Sequence, residues 1–141
     1  MLGKIIDKNF QVVGDKVFLD VNVSKKKPGL LLIHADWCGH CKRFQPIFDE
    51  LHHQLGDDFP LLSIEDSYLK QNRELVEALD FSGYPTLKFF DQTGKIIGNY
   101  NGNRTKGELL KHIFYFLVRT LKYLFKTVWF NVKFPYWLNL K

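Results

Sequence analysis

Cys38 and Cys41 are the chain's 2 cysteines, and only Gly39 and His40 separate them. A bridge between them closes too short a loop to constrain the unfolded chain much, so a structural staple is a poor use of the pair. Thiol chemistry is the better one. Cys38 falls where an apolar run, Leu30 to His34, gives way to helical spacing, so its sulfur is expected to meet unpaired first-turn amides and the positive end of a helix dipole. Both favour the thiolate, which is the nucleophilic form. Cys41, three residues on, shares that helical face and reaches a mixed disulfide formed at Cys38. His40, when protonated, adds positive charge that stabilises the reduced thiolate, and Gly39 leaves room for a substrate chain. The competing use is half a zinc site completed by His52 or His53. A structural site takes four ligands, and His34, His52, His53 and His112 form no second pair suited to one, so no metal is expected.

The elements that must hold this pair are legible in the apolar pattern. Phe44, Ile47, Phe48, Leu51 and Leu55 recur at helical spacing and predict a helix over 39–55 that begins at the cysteines. Leu30 to His34 reads as a buried central strand. Upstream, Val12-Val13 and Val17-Phe18-Leu19 with Val21 and Val23 read as strands about the turn Gly14-Asp15, and Lys25 to Gly29 as a solvated loop. Downstream come a strand at Leu61, Leu62 and Ile64, a short helix at Leu75, Val76 and Leu79, and a hairpin from Leu87 to Phe90 through Asp91-Gln92-Thr93-Gly94 to Lys95–Ile97. Thr105-Lys106-Gly107-Glu108 has the form of a capping box that opens a long helix from Leu109. The order is α/β with a mixed sheet.

Ala35-Asp36-Trp37-Cys38-Gly39-His40-Cys41-Lys42, Pro46 inside the predicted helix, and Gly83-Tyr84-Pro85-Thr86-Leu87-Lys88-Phe89-Phe90 together closely resemble the catalytic domain of the protein disulfide isomerase branch of the thioredoxin superfamily, over residues 28 to 118. The resemblance implies a thioredoxin fold, a central mixed sheet flanked by helices. It implies a thiol–disulfide oxidoreductase that exchanges protein dithiols and disulfides, uses no bound cofactor and relies on an upstream thiol oxidase or reductase. Gly-His between the cysteines resembles the isomerase type, with a potential of about −180 mV rather than about −270 mV. By the same resemblance Cys38 is the exposed attacking thiol and Cys41 the resolving thiol. Trp37 is an aromatic shelf, and Pro85 is a cis-proline that turns the backbone of Tyr84 toward an extended substrate. Arg104 matches an arginine that moves toward the resolving cysteine and lowers its pKa; on composition alone it is a solvated loop residue. Three departures stand out. Leu32 occupies the position where the family has a buried acid that exchanges a proton with the resolving thiol, and His34, on the same strand face, either substitutes for it or fills a site where relatives have an aromatic residue. Asp36 stands where isomerases have Pro. The stretch from Val12 to Val23 reads as strands where the family has a helix.

Composition adds a second part. With 141 residues, 45% hydrophobic and 25% charged, the chain reads as an ordinary globular one, and one compact domain with a short appendage is expected rather than a large multidomain enzyme or a disordered tract. Residues 1–108 carry 14 basic and 15 acidic residues, whereas 109–141 carry 6 basic and none acidic, so no nucleic-acid-binding domain is expected. Lys111, His112, Arg119, Lys122, Lys126 and Lys133 project onto one helical arc of about 100 degrees, opposite Leu117, Leu121, Leu124 and Val128. Arg119, Lys122 and Lys126 argue against a membrane span, since each costs roughly 2.5–3.5 kcal/mol at its centre. The expected organisation is a thioredoxin-like domain over 1–118 and a basic, aromatic, amphipathic extension over 119–141 that meets an anionic membrane surface or a partner helix, or else folds back over its own domain or pairs with a second copy. The opening residues, interrupted by Lys4, Asp7 and Lys8, lack the apolar stretch of a secretory signal, which points to a cytoplasmic, membrane-associated location. The rival reading is a binding or scaffold module with a weakly active redox centre that acts through its C-terminal helix.

Overall fold

A computed structural model of the chain describes residues 3–128, with side chains to residue 121. The chain order is β1 (Lys4–Ile5), β2 (Phe10–Val13), β3 (Lys16–Leu19), α1 (Val21–Ser24), β4 (Gly29–His34), α2 (Gly39–Leu55), β5 (Leu61–Glu65), α3 (Asp66–Leu69), α4 (Arg73–Leu79), β6 (Thr86–Phe90), β7 (Ile96–Asn99) and α5 (Lys106–Val128). Every residue of β4 is buried, because this strand is the middle of a five-stranded sheet ordered β1-β5-β4-β6-β7. β1, β5 and β4 run parallel, while β6 and then β7 join antiparallel. A continuous apolar run with no polar alternation is what a strand covered on both faces requires.

The two faces of β4 are sorted by the strand's period of two. Leu31 and Ile33 join Leu62 and Ile64 of β5, Val17 and Leu19 of β3, Leu69 of α3, and Leu75 and Leu79 of α4 in one core. Leu30, Leu32 and His34 take the other face. α2 buries Cys41, Phe44, Phe48 and Leu51, spaced three or four apart along one stripe. Each such side chain contributes roughly 1.5–3 kcal/mol on removal from water, so the helix that begins at the cysteines is fixed by its far turns.

The N-terminal strands stand apart from the main sheet as a β2–β3 hairpin, bridged to it where Phe18 meets Lys95. Val21 and Val23 are a correction: they lie in one helical turn, not a strand. Asp20 caps it by accepting from the Asn22 amide at 2.9 Å, and Lys25 ends it in the left-handed region, φ 57°. Gly29, expected in the preceding loop, begins β4 because its backbone packs so close to Pro60 and Phe90 that a Cβ would overlap both. β1 and α3 were not foreseen; at two and four residues they are too short to show a period.

α5 opens as its sequence predicts, with the Glu108 amide donating to Thr105 Oγ1 at 3.3 Å and the Leu109 amide to the Thr105 carbonyl at 3.0 Å. The chain divides into two compact units, Met1–Leu109 and Leu110–Lys141. In the second, Thr120 Oγ1 donates to the Phe116 carbonyl, and Phe114, Tyr115 and Leu121 are exposed. Among the described residues no helix is long and apolar enough to cross a membrane. The side chains of Lys122 and Lys126, and all of Trp129, Lys133 and Trp137, lie outside what is described.

Candidate active site

Cys38 is the N-cap of α2. Its backbone is extended (φ −87°, ψ 119°) and its sulfur accepts from the Cys41 amide at 3.5 Å, the place that Ser or Asp commonly takes. The turn before it closes with the Cys38 amide donating to the Ala35 carbonyl at 3.1 Å. The expectation of an exposed attacking thiol is corrected. Both cysteines are free thiols, but Cys38 is only 7% exposed against 4% for Cys41, since Ala35, Cys41 and Tyr84 pack around it.

The two thiols are nonetheless opposite in character. The pKa of Cys38 is lowered, first by a hydrogen bond from the Cys41 thiol and then by the Cys41 amide, with the His40 amide and the Arg43 charge assisting against burial. Burial pushes the Cys41 thiol up to about 11, the neighbouring Cys38 adds to the rise, and the Ala35 amide and Arg104 charge oppose it. One sulfur is favoured as the thiolate and the other holds its proton. His40 Nδ1 lies 2.8 Å from Arg43 Nη2, and the side-chain charge that lowers the Cys38 pKa is that of Arg43. Gly39 is exposed, and a Cβ there would meet only Arg43 at ordinary contact.

Trp37 is 68% exposed and meets the Tyr84 ring edge-on at 5.6 Å. Asp66 holds both rings: buried at the start of α3, it accepts from the Tyr84 hydroxyl and from Trp37, and pairs with Lys70 at 2.8 Å. Burial raises the Asp66 pKa, but Lys70 and Tyr84 outweigh it and hold the carboxyl below its usual value. Tyr84–Pro85 is cis, and the Tyr84 carbonyl lies 3.7 Å from Cys38 Sγ. Arg104 is no free loop arginine. Its Nη2 donates to the Pro85 carbonyl at 2.9 Å, beside a cleft of about 480 Å³ that Phe81, Gly83, Tyr84, Pro85 and Tyr100 also line.

Leu32, 1% exposed, lies between Ser63 and Leu87 in register and offers no proton acceptor. His34 is 6% exposed, with Nδ1 4.0 Å from Asp36 Oδ1. His52 and His53 sit in the last turn of α2, at the opposite end from the cysteines, and among the described residues no three His, Cys, Asp or Glu side chains gather as a metal group. The sequence reading missed Arg43, Asp66 and Glu65. Arg43 had a signal, its i+3 spacing from His40 on a predicted helix. Asp66 and Glu65 had none, since only the end of β5 brings them to the site; Glu65 accepts from the Asp36 amide at 3.3 Å.

A dithiol at the first turn of the helix that follows the central strand of a mixed sheet, faced by a cis-proline, defines a thioredoxin-fold redox domain. The chain belongs to the thioredoxin family: a match to the family described as Thioredoxin covers residues 9–114. It is 32% identical over 110 residues to protein disulfide isomerase-like 2-2 of Oryza sativa subsp. japonica, covering 77% of this chain and 29% of that one. Protein disulfide-isomerase A4 of Rattus norvegicus is 33% identical over 102 residues, 72% of this chain and 15% of that one. The chain thus spans less than a third of the length of these curated relatives and is homologous to domains of them. The fold is that of the germline-specific thioredoxin Deadhead of Drosophila melanogaster, with TM-score 0.55 and 22% identity over 66% of this chain and 84% of that one. Human ERp44 aligns with TM-score 0.56 and 20% identity, covering 78% and 31%.

Proposed function

We propose that this domain is a thiol–disulfide oxidoreductase of protein disulfide isomerase type, acting on protein dithiols and disulfides through Cys38-Gly39-His40-Cys41. The observation that carries the reading is the asymmetry of the two thiols, one lowered in pKa at a helix N-cap and the other raised to about 11 by burial. The Cys38 thiolate attacks a substrate disulfide, forming a mixed disulfide and releasing one substrate thiolate. Deprotonated Cys41 then attacks Cys38 Sγ; the Cys38–Cys41 bond forms, the bond to substrate breaks, and the substrate leaves reduced. Run backward, the same steps oxidise a dithiol, and a separate thiol oxidase or reductase resets the centre. Exposed Trp37 and the Tyr84–Pro85 backbone support contact with an extended chain beside Cys38.

The test is trapping. Cys41→Ser should accumulate a mixed disulfide with a reduced-and-scrambled protein substrate, because attack survives and resolution is lost, whereas Cys38→Ser should trap none and lose turnover. Equal trapping by both variants, or turnover without Cys38, overturns the reading.

A further inference from the structure

Before Cys41 can attack, its buried thiol must lose a proton. Leu32 cannot take it. Cys41 lines a cavity of about 270 Å³ together with His34, Ala35, Asp36, Lys42 and Gln45. A water in the liquid occupies about 30 Å³, so this volume and its polar lining suit several. Of the lining side chains, Gln45 is not basic and Lys42 is a cation. Asp36 faces solvent, its side chain 85% exposed, and lies 4.0 Å from His34 Nδ1, placed to balance an imidazolium rather than to reach the thiol. His34 is the one imidazole, projected onto the α2 face of β4 by the strand's alternation and held between buried neighbours.

We infer that His34 is the proton acceptor for Cys41, reached through water in the cavity the two side chains share. This rests on the oxidoreductase reading and supplies the base that reading needs. In the mixed disulfide the Cys41 S–H proton passes through water to the neutral His34 ring. The Cys41 thiolate attacks Cys38 Sγ, the Cys38–Cys41 bond forms, and the substrate sulfur leaves with the electron pair. His34 imidazolium, balanced by Asp36, then returns its proton to solvent. Burial lowers the pKa of His34, against the charges of Asp36 and Glu65 and with that of Lys4, so the ring is neutral and able to accept at neutral pH. Once Cys38 is bonded to substrate, its charge no longer holds the Cys41 thiol up, while Arg104 still pulls it down.

The experiment mixes the reduced full-length protein with glutathione disulfide, quenches with acid and follows the Cys38–glutathione adduct by mass across pH 4.5 to 8. In the native protein the resolving step should slow as pH falls through the His34 titration. His34→Phe should form the adduct at the native rate but resolve it about 10- to 100-fold more slowly at pH 7, without that acidic limb, and Leu32→Glu added to it should restore resolution. Asp36→Asn, at an exposed site that leaves folding intact, should move the limb about half a pH unit lower, since a carboxylate that raises the His34 pKa is lost. Native resolution with an unchanged limb in His34→Phe, or an unmoved limb in Asp36→Asn, overturns the proposal. Absence of any adduct with the native protein overturns the oxidoreductase reading instead, and this proposal with it.

Discussion

Three residues apart and chemically identical, Cys38 and Cys41 differ only in what surrounds them, and that difference is partly readable in the sequence. Strand-to-helix position puts the first thiol at amides and a dipole; the second inherits burial from the helix stripe it belongs to. Trp37, Tyr84 and Pro85 were legible through a local motif. Arg43 against His40 and Asp66 against both rings were not, because those partners are chosen by side-chain reach after the fold is assembled. The Arg43 cation lowers the Cys38 pKa, so Arg43→Gln should raise it. The shift expected is about half a pH unit or less, because the guanidinium is solvent-screened, and it should shrink further in 1 M salt. Iodoacetamide alkylation of Cys38 followed against pH measures it: the native midpoint lies below that of a free cysteine, the variant's is higher, and Cys41, its thiol pushed up by burial, reacts only at higher pH than Cys38. A midpoint that does not move removes Arg43 from the centre.

The elements that hold the site are of two kinds, and only one kind announces itself. α2 runs long enough for a period of 3.6 to emerge and β4 stands out as an unbroken apolar run, so both are legible in the apolar pattern, Gly29 at the start of β4 excepted. α1 is not, because Val21 and Val23 carry β propensity and the Asp20 cap that overrides it is a single side-chain bond. Phe48, fully buried in the middle of α2, ties the cysteine-bearing helix to the core at a distance from its chemistry. Phe48→Ala should destabilise the reduced protein by about 3–5 kcal/mol in urea unfolding, and His53→Ala, exposed on the same helix, by no more than about 0.5 kcal/mol. Gly29→Ala should also destabilise, since its Cβ overlaps the Pro60 carbonyl and the Phe90 ring at the joint of β4 with the sheet. If Phe48→Ala unfolds at the native urea midpoint, α2 is not anchored by its apolar stripe.

At the scale of the molecule the chain is two things joined through α5: a near-neutral unit that carries the dithiol, and a C-terminal part with 6 basic and no acidic residues over 109–141. The family match ends at residue 114, so the redox fold leaves the rest of that charge unexplained. Phe114, Tyr115 and Leu121 are exposed on α5. A basic helix with exposed aromatics gains roughly 1 kcal/mol for each Lys or Arg brought to an anionic surface, and its apolar side chains add burial that salt does not screen. We therefore predict that the full-length protein sediments with phosphatidylserine-containing vesicles and not with neutral ones, and that raising salt from 0.1 to 1 M, which shortens the Debye length from about 10 to about 3 Å, releases most of it. Lys122→Glu with Lys126→Glu should weaken binding at least tenfold, because two attractions become repulsions, while glutathione-adduct formation at Cys38 proceeds as in the native chain. Equal sedimentation with neutral vesicles would make the attachment apolar rather than electrostatic. No sedimentation with either would leave the basic arc without a membrane role and direct the search to a partner protein's groove.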